Sequence, residues 1–451
     1  MHVINHPYKH QKEAVLFGLL NQTALFDHKV GHGKTLTMGL LSDKLLNHKK
    51  SERIFLMTLK SVSQKLFSEI NENLPHLNMF RLTDKNFNKK TRRKTLIYLK
   101  NNPKINLIVG EHTHLQNIPK DLKYIKNIIS AKIKMIDQDL KQAKIEGLIE
   151  SKQVIKGLEK RKETLEERLN SRLQIIQSKN EERTPTLSDL KIDTIFIDES
   201  HKFKNIAYTT RHNNVSGLND STEKFKNLDL EISIDSIHNR KGADKNIFFF
   251  TGTPLKNSVT EVYAMQRYLQ PNLLKEKQIY NFDSWASIFL KQSMEIEADI
   301  LGNPREHKRF RYFTNLPELS KLYNNFTHIS DENNFKSLTI KTKNEFEVID
   351  PTPNYEILKN KTLDLITKKD QKSLFGFNKY EEKKLSGAYL IGLNINRYAL
   401  IDPKLISTTV PFTVDDQIKI NHLVKDAAEL YKKTEDNKGV ILIFSDLGTY
   451  K

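Results

Sequence analysis

Five short apolar runs constrain the fold of this chain more than any other feature. They are Thr23-Ala24-Leu25-Phe26, Ile54-Phe55-Leu56-Met57, Ile105 to Val109, Thr194-Ile195-Phe196-Ile197 and Ile247-Phe248-Phe249-Phe250. A strand that is apolar at successive positions has no face to give to water and must be covered on both sides. Between the runs the pattern turns helical. Ala14, Val15 and Leu19 share one face after Pro7, and a second helical pattern runs from Leu66 to Ile70. Short apolar runs alternating with helical stretches predict an α/β fold, a parallel sheet with helices on both faces.

Two regions depart from that rhythm. From Leu122 to Ile176 apolar residues step by threes and fours. They run through Ile125, Ile129, Ile133, Ile136 and Leu140, then through Ile155, Leu158, Leu165, Leu169 and Leu173, with Gly147 between the sets. This predicts an inserted hairpin of two antiparallel helices, coiled-coil-like, over residues 120–190. A solvated spacer and an arm that touches DNA or a partner both fit it. From Phe282 to Glu435 the reading is mostly helical and irregular, punctuated by Pro351, Pro353, Pro403 and Pro411. Within and beyond it, Asp415 to Tyr431 reads as a helix and Gly439 to Ser445 as a strand.

Charge narrows the partners. The chain has 73 Lys and Arg against 55 Asp and Glu, a net charge of +18 with a pI near 9.5. That excess favours a polyanion, nucleic acid first among them. The absence of cysteine excludes disulfides, thiolate zinc sites and cysteine nucleophiles. No uninterrupted apolar run approaches the ~18 residues of a membrane span, and the first residues lack the layout of a signal peptide. A cytoplasmic protein with no membrane partner is expected. His2, His6 and His10 are spaced by four, as are His28 and His32, yet Pro7 interrupts the first set and no carboxylate completes a zinc-helix spacing. No metal role is expected of them. Trp285, Phe282 and Phe289 read as packing rather than as a base-stacking platform.

Three stretches carry chemistry. Phe26 to Thr37 reads F-D-H-K-V-G-H-G-K-T-L-T, with Gly31 and Gly33 just before Lys34 and Thr35. A phosphate chain needs bare backbone N–H groups in a tight loop, a lysine for its terminal phosphates, a hydroxyl for magnesium and a helix N-terminus aimed at the anion. All are present in order, with His28 standing where the full phosphate-loop pattern has another glycine. In Ile195-Phe196-Ile197-Asp198-Glu199-Ser200-His201, an apolar run delivers Asp198 to a strand end, where a carboxylate can hold Mg²⁺. Glu199 beside it can polarise an attacking water. Thr251-Gly252-Thr253-Pro254 follows the fifth run, at the edge where open parallel sheets bind ligands.

Together these stretches resemble the superfamily-two helicase and translocase core, in its Swi/Snf-like, DEAD/DEAH-box-like branch. That family orders an adenine-reading glutamine motif, then G-x-G-K-T, D-E-x-H and T-G-T-P-x-x-N. The chain supplies Tyr8-Lys9-His10-Gln11, Gly31-His32-Gly33-Lys34-Thr35, Asp198-Glu199-Ser200-His201 and Thr251-Gly252-Thr253-Pro254-Leu255-Lys256-Asn257, with Lys204-Asn205 after the acidic box. Met57-Thr58-Leu59 stands where the family carries a proline. Tyr263 to Leu269, Phe282 to Ala286, Asn315 to Leu319 and Ile443 to Leu447 further resemble the helicase region of large helicase–methyltransferase proteins of phages and conjugative elements, antirestriction types among them.

The resemblance implies a RecA-like lobe that uses ATP and Mg²⁺ on double-stranded DNA. Gln11 would read adenine. Gly31, His32, Gly33 and Lys34 would hold the phosphates, Thr35 and Asp198 the Mg²⁺, and Glu199 would activate water. Lys34, Asp198 and Glu199 are then the catalytic set. His201, Thr251, Thr253 and Asn257 would couple nucleotide state to DNA, and His112 and Thr113 would touch the DNA backbone. The expected layout is a RecA-like lobe over residues 1–275, a mostly helical linker over 276–411, and the truncated start of a second RecA-like lobe over 412–451. The family's arginine finger would lie beyond Lys451, and a DNA methyltransferase domain or subunit would be a partner, since no adenine-methylation motif occurs here. Two functions are therefore expected as alternatives: a DNA-stimulated ATPase core, weakly active alone, or a non-catalytic ATP- or DNA-binding remnant.

Overall fold

The computed structural model describes the chain except residues 1–5, 146–154, 158, 161, 165, 168–170, 172–183, 205, 207–209, 211–214, 217–224, 255–258, 299–303, 331–346, 382–386, 437 and 444–451. It divides into two compact units, Met1–Ser337 and Leu338–Lys451. The strands of the first unit are β1 (Thr23–Asp27), β2 (Ile54–Thr58), β3 (Met79–Arg81), β4 (Leu107–Glu111), β5 (Thr194–Asp198), β6 (Val215–Ser216), β7 (Ile247–Thr251), β8 (Leu290–Ala298), β9 (Pro304–Phe313) and β10 (Thr327–Ile329). Its main helices are α1 (Lys9–Asn21), α2 (Lys34–Asn47), α3 (Leu122–Ile145), α4 (Phe225–Lys241) and α5 (Thr260–Leu269).

Seven strands form one sheet in the order β10-β1-β7-β5-β2-β4-β3, and every pairing in it is parallel. All five apolar runs are strands of this sheet, and the expected α/β fold is the one observed. The strand pleat sends alternate residues to opposite faces. Leu25, Phe55, Ile195, Ile197 and Phe249 therefore join one core cluster, with Ile234 and Ile237 of α4 and Tyr268 of α5. Ala24, Phe26, Leu56, Phe196, Phe248 and Phe250 join the other, with Ala14 of α1 and Met38 and Leu41 of α2. Phe248, Phe249 and Phe250 are all 0% exposed, and each contributes on the order of 2–3 kcal/mol by burial. That is why the centres of these runs are apolar, with Thr23 and Thr194 only at their first positions.

Parallel strands end on the same edge, so the order sets which end residues become neighbours. Asp27 lies opposite Thr251, Asp198 pairs with Phe250 one step from it, and Thr58 pairs with Glu111. A row of polar residues thus lines the C-terminal edge above an apolar sheet. β1 leads through a loop into α2 and then to β2, which lies three strands away. Such a crossover opens a crevice at the strand ends where the order switches.

The insertion has the expected first helix, α3. Its first half packs through Tyr124, Ile125 and Ile129 onto Leu228 and Ile232 of α4. Its second half presents Ile136 and Leu140 to Ile155, and Lys162 Nζ lies 2.8 Å from Asp137 Oδ1. The contacts run antiparallel, and the described residues between 155 and 171 are helical. Gly147, Leu158, Leu165, Leu169, Leu173 and Ile176 lie outside the described residues.

The region after Phe282, read as mostly helical, also carries strands. β8 and β9 form an antiparallel pair there, with a register irregularity between Lys291 and Gln292. Met294 and Ile296 alternate with polar residues, a period of two. The short β10 then pairs parallel with β1. The sheet thus takes its seventh strand from beyond the expected lobe boundary at residue 275. Trp285, Phe282 and Phe289 are buried against Tyr263, and Trp285 Nε1 donates to Gln266 Oε1 at 2.7 Å. They pack, as expected.

The second unit is helical among its described residues. The helices Pro353–Lys368 and Ala388–Ile401 pack through Leu358, Leu365 and Ala399. Asp416 ties the segments together, accepting from Asn354 Nδ2 at 2.9 Å and from the Thr413 amide at 2.7 Å. The helix expected over 415–431 is Ile418–Thr434. The strand expected over 439–445 is not formed in its described part. Residues 439–443 belong to no ladder, and Val440 and Leu442 are exposed. A strand exists only by pairing, and the apolar run there has no described neighbour to pair with.

Candidate functional site

The phosphate-loop sequence occupies the turn from β1 into α2. Gly31 and Gly33 take φ of +89° and +69°, left-handed values that side chains resist. Gly33 also has no room, since a β-carbon there would lie 2.2 Å from Gln11 Nε2. Gly33 is the N-cap of α2, whose first residues are Lys34 and Thr35. The helix therefore aims its N-terminal amides, and the positive end of its dipole, at the loop. Lys29, Val30 and Gly31 form an exposed tip, while His28 and His32 at its two ends are buried. Lys34 Nζ donates to the His28 carbonyl at 3.0 Å.

Gln11, expected beside the nucleotide base, stands against the loop. Its Nε2 donates to the Gly33 carbonyl at 3.1 Å, and its Oε1 accepts from the Tyr8 amide at 2.8 Å. The His32 side chain is buried and directed to Ser330, just past β10. Its Nδ1 lies 2.8 Å from Ser330 Oγ, and its carbonyl accepts from His10 Nε2 at 3.0 Å. His28 Nε2 lies 3.0 Å from His328 Nδ1. Burial, and then the nearby His328, His10, Lys34 and His32, hold His28 down at about 3, so the ring is neutral.

Across the edge, Asp198 ends β5. Its Oδ2 accepts from Thr58 Oγ1 at 2.8 Å and its carbonyl accepts from His112 Nε2 at 2.7 Å. Burial pushes the Asp198 carboxyl up, the Thr58 hydroxyl and Lys34 pull it down, and Glu199 adds to the rise. Glu199 takes φ of +51°, a left-handed value uncommon for a residue with a side chain. It directs its carboxylate to His201, with Oε2 3.1 Å from Nδ1. His201 Nδ1 is also 3.3 Å from Thr251 Oγ1, which accepts from the Thr253 amide at 3.1 Å. The acidic stretch and the Thr-Gly-Thr-Pro turn are thus one hydrogen-bonded network. That turn in turn meets the phosphate loop. A β-carbon on Gly252 would lie 3.2 Å from the His28 carbonyl and 3.6 Å from Lys34 Nζ.

Of the expected site residues, Gln11, Lys34, Asp198, Glu199, His201, Thr251 and Thr253 therefore meet at this edge. Asn257 lies outside the described residues. His112 does not fit an external DNA contact: its ring is buried, spent on the Asp198 carbonyl and edge-on to Phe203 at 5.2 Å. Burial and neighbouring cations hold it at about 4, the Asp198 carbonyl working against them. Thr113 next to it is exposed. Thr58 is the residue that motif reading passed over. A threonine closing an all-apolar run was the available signal, because a hydroxyl at a strand end needs a partner.

Asp84, Glu111 and His114 also gather within 4.8 Å of one another at this edge. Lys60 holds Asp84 at 2.5 Å, and the Glu111 amide donates to His114 Nδ1 at 3.0 Å. That bond leaves the ring proton on Nε2, so this is an ion-pair cluster rather than a ligand set. Among the described residues no helix is long and apolar enough to cross a membrane.

Comparison with known proteins adds the lineage. The "Defense against restriction protein B" of Escherichia phage P1 is 24% identical over 178 residues, which are 39% of this chain and 8% of that protein. The Sulfolobus solfataricus SWI2/SNF2 ATPase core in complex with dsDNA is 13% identical, covers 95% of this chain and 66% of its own, and superposes with a TM-score of 0.39. The UvsW helicase of bacteriophage T4 is 11% identical over 58% of this chain and 57% of its own, with a TM-score of 0.30. At such scores the fold rests on the strand order itself. A sequence profile described as a probable helicase domain matches residues 17–331, well over half of the chain. The protein belongs to that helicase domain family, and its first unit is a helicase-type core.

Proposed function

We propose that this core binds ATP with Mg²⁺ at the phosphate loop and hydrolyses it to drive movement on double-stranded DNA. The observation that carries the reading is the meeting of Lys34, Asp198, Glu199 and Thr251 at one sheet edge, from segments more than 200 residues apart in sequence. The residues suit the ligands. Gly31 has open space around it, Lys34 rests on a neutral carbonyl, and Thr35 and Asp198 offer the hard oxygens that magnesium takes.

Lys34 would exchange the His28 carbonyl for a phosphate oxygen, a charge-assisted bond stronger than the one it leaves. The amides opening α2 would meet the same phosphates. Thr35 and Asp198 would hold Mg²⁺, which supplies charge neutralisation on the phosphates when bound. Thr58 and His112 fix Asp198 from either side. Glu199 would orient the attacking water, and its tie through His201 to Thr251 offers a path from nucleotide to the Thr-Gly-Thr-Pro turn. The net charge of +18 and the helicase family support duplex DNA as the track, with Thr113 at its exposed edge. The name of the phage relative supports a part in countering restriction.

The test is ATP affinity and single-turnover hydrolysis with and without duplex DNA. ATP should bind, duplex DNA should raise hydrolysis, and Glu199→Gln should bind normally while slowing hydrolysis about 100-fold, the scale of one positioned acid–base group. Binding without any hydrolysis would replace the motor by a nucleotide-binding module. Unchanged affinity in Lys34→Ala would overturn the site.

A further inference from the structure

The phosphate loop is held from a direction its own sequence does not reveal. β10 pairs with β1, and the Ser330 amide extends that ladder by donating to the Asp27 carbonyl at 3.2 Å. Ser330 Oγ then sits 2.8 Å from His32 Nδ1, and both residues are buried, at 4% and 8% exposure. On the strand just before it, His328 Nδ1 meets His28 Nε2 at 3.0 Å. The two buried ends of the loop are therefore each bound to the edge-strand segment, while the tip between them stands exposed. From the other side His10 of α1 holds the His32 carbonyl, and β7 accepts the His28 amide through the Thr251 carbonyl at 3.1 Å. Two glycines give such a loop many conformations, and binding must collapse them at an entropic cost.

We propose that His328 and Ser330 are positioning residues that hold the phosphate loop in its binding geometry by clamping His28 and His32. The proposal rests on the reading of this loop as a phosphate site. The clamp replaces the missing loop glycine: where His28 stands, a side chain long enough to reach β10 substitutes fixed position for backbone freedom. Nucleotide affinity then depends on residues about 300 positions away that touch no phosphate.

The experiment titrates ATP and ADP into the full chain by calorimetry and follows thermal unfolding without nucleotide. Ser330→Ala should weaken both nucleotides about 5- to 10-fold, the scale of one buried hydrogen bond. Ser330→Thr keeps the hydroxyl and should restore affinity. His32→Asn keeps a polar atom near the Nδ1 position and should bind, whereas His32→Leu should match Ser330→Ala. The double variant Ser330→Ala with His32→Leu should lose no more than either alone, since the partners share one interaction. If Ser330→Ala fails to fold, the His328→Asn and His328→Leu pair puts the same question to the second clamp. Lowered thermal stability with unchanged affinity in Ser330→Ala or His328→Leu overturns the proposal and leaves the phosphate site standing. Failure of the wild-type chain to bind nucleotide overturns both.

Discussion

Two of the places where the first unit buries charge treat it differently. At the sheet edge, Lys34 rests on a carbonyl, Asp198 accepts from a hydroxyl and a histidine holds its backbone. The buried partners there are mostly neutral. Where α3 seats on α4, the partners are charges. Lys132 Nζ lies 2.6 Å from Glu231 Oε2, Arg267 Nη2 lies 3.7 Å from Glu231 Oε1, and Lys120 Nζ lies 3.8 Å from Asp229 Oδ1, all nearly buried. Arg267 also lies over the Tyr280 ring, 3.7 Å from its centre. Beside them is a cavity of about 180 Å³, and Asp235 Oδ2, His238 Nε2 and Arg267 Nε along it have no hydrogen-bond partner among the described residues. Its size admits several waters at roughly 30 Å³ each. A group meant to meet a ligand is better held by a neutral partner it can leave. A group meant to fix an insertion can be matched with its opposite charge, because it need never let go.

Breaking the seat should cost the most. Glu231→Ala leaves Lys132 and Arg267 buried without their carboxylate, a loss of about 3–5 kcal/mol. Chemical denaturation should show it, with ATP affinity unchanged in the protein that remains folded. If affinity fell with stability, the two clusters would not be independent.

Breaking the edge should do the reverse. Lys34→Ala should weaken ATP binding about 100-fold, the ~2–3 kcal/mol of a bond to a charged group. Its unfolding midpoint should barely move, since the lysine's partner is a carbonyl with other options. A large fall in stability would place Lys34 among the structural charges.

Acid probes both places together. His28 at the edge is held down at about 3, and His238 at the seat at about 4, burial being the main cause in each. An ordinary histidine takes up its proton near 6.5, so the unfolded chain binds protons there before the folded one does. Stability is therefore intact above 6.5 and lost as pH falls from 6.5 toward the folded values. Each histidine removes about 2 kcal/mol by pH 5. Glutamine at either position should flatten the acid limb by that histidine's share, read from denaturation midpoints across pH. An unchanged limb in both variants would mean that neither ring is the neutral group described.

The smallest effect should come from the exposed pair Lys60–Asp84. Lys60→Met should leave the unfolding midpoint within error at moderate salt, because water screens such pairs. A measurable loss would mean that Asp84, Glu111 and His114 form a tighter cluster than their exposure implies.

The five central strands and the polar residues that end them were legible, because burial on both faces demands an unbroken apolar run and leaves an unmistakable pattern. Lys34, Thr35, Asp198 and Glu199 could be nominated because a glycine-flanked Lys-Thr pair and an acidic strand end are contiguous words, and the structure places them at the start of α2 and the end of β5. The short strands β3 and β10 were not. Three residues carry too little pattern, and β10 is a strand only because β1 lies beside it. The same holds in reverse for Gly439 to Ile443, which has a strand's composition and no described neighbour. His112 shows the limit for a site residue. Its position after β4 was correct, but whether its ring faced outward or held Asp198 depended on packing against Phe203.

Sequence alone determined what each segment could become: a buried strand, a loop that tolerates left-handed glycines, a helix that begins at Lys34. These are local matters of side-chain polarity and backbone freedom. The tertiary structure alone decided the neighbours. It set Thr58 against Asp198, Gly252 against Lys34 and Ser330 against His32, because strand order is a choice among distant pairings that no local run of residues can encode.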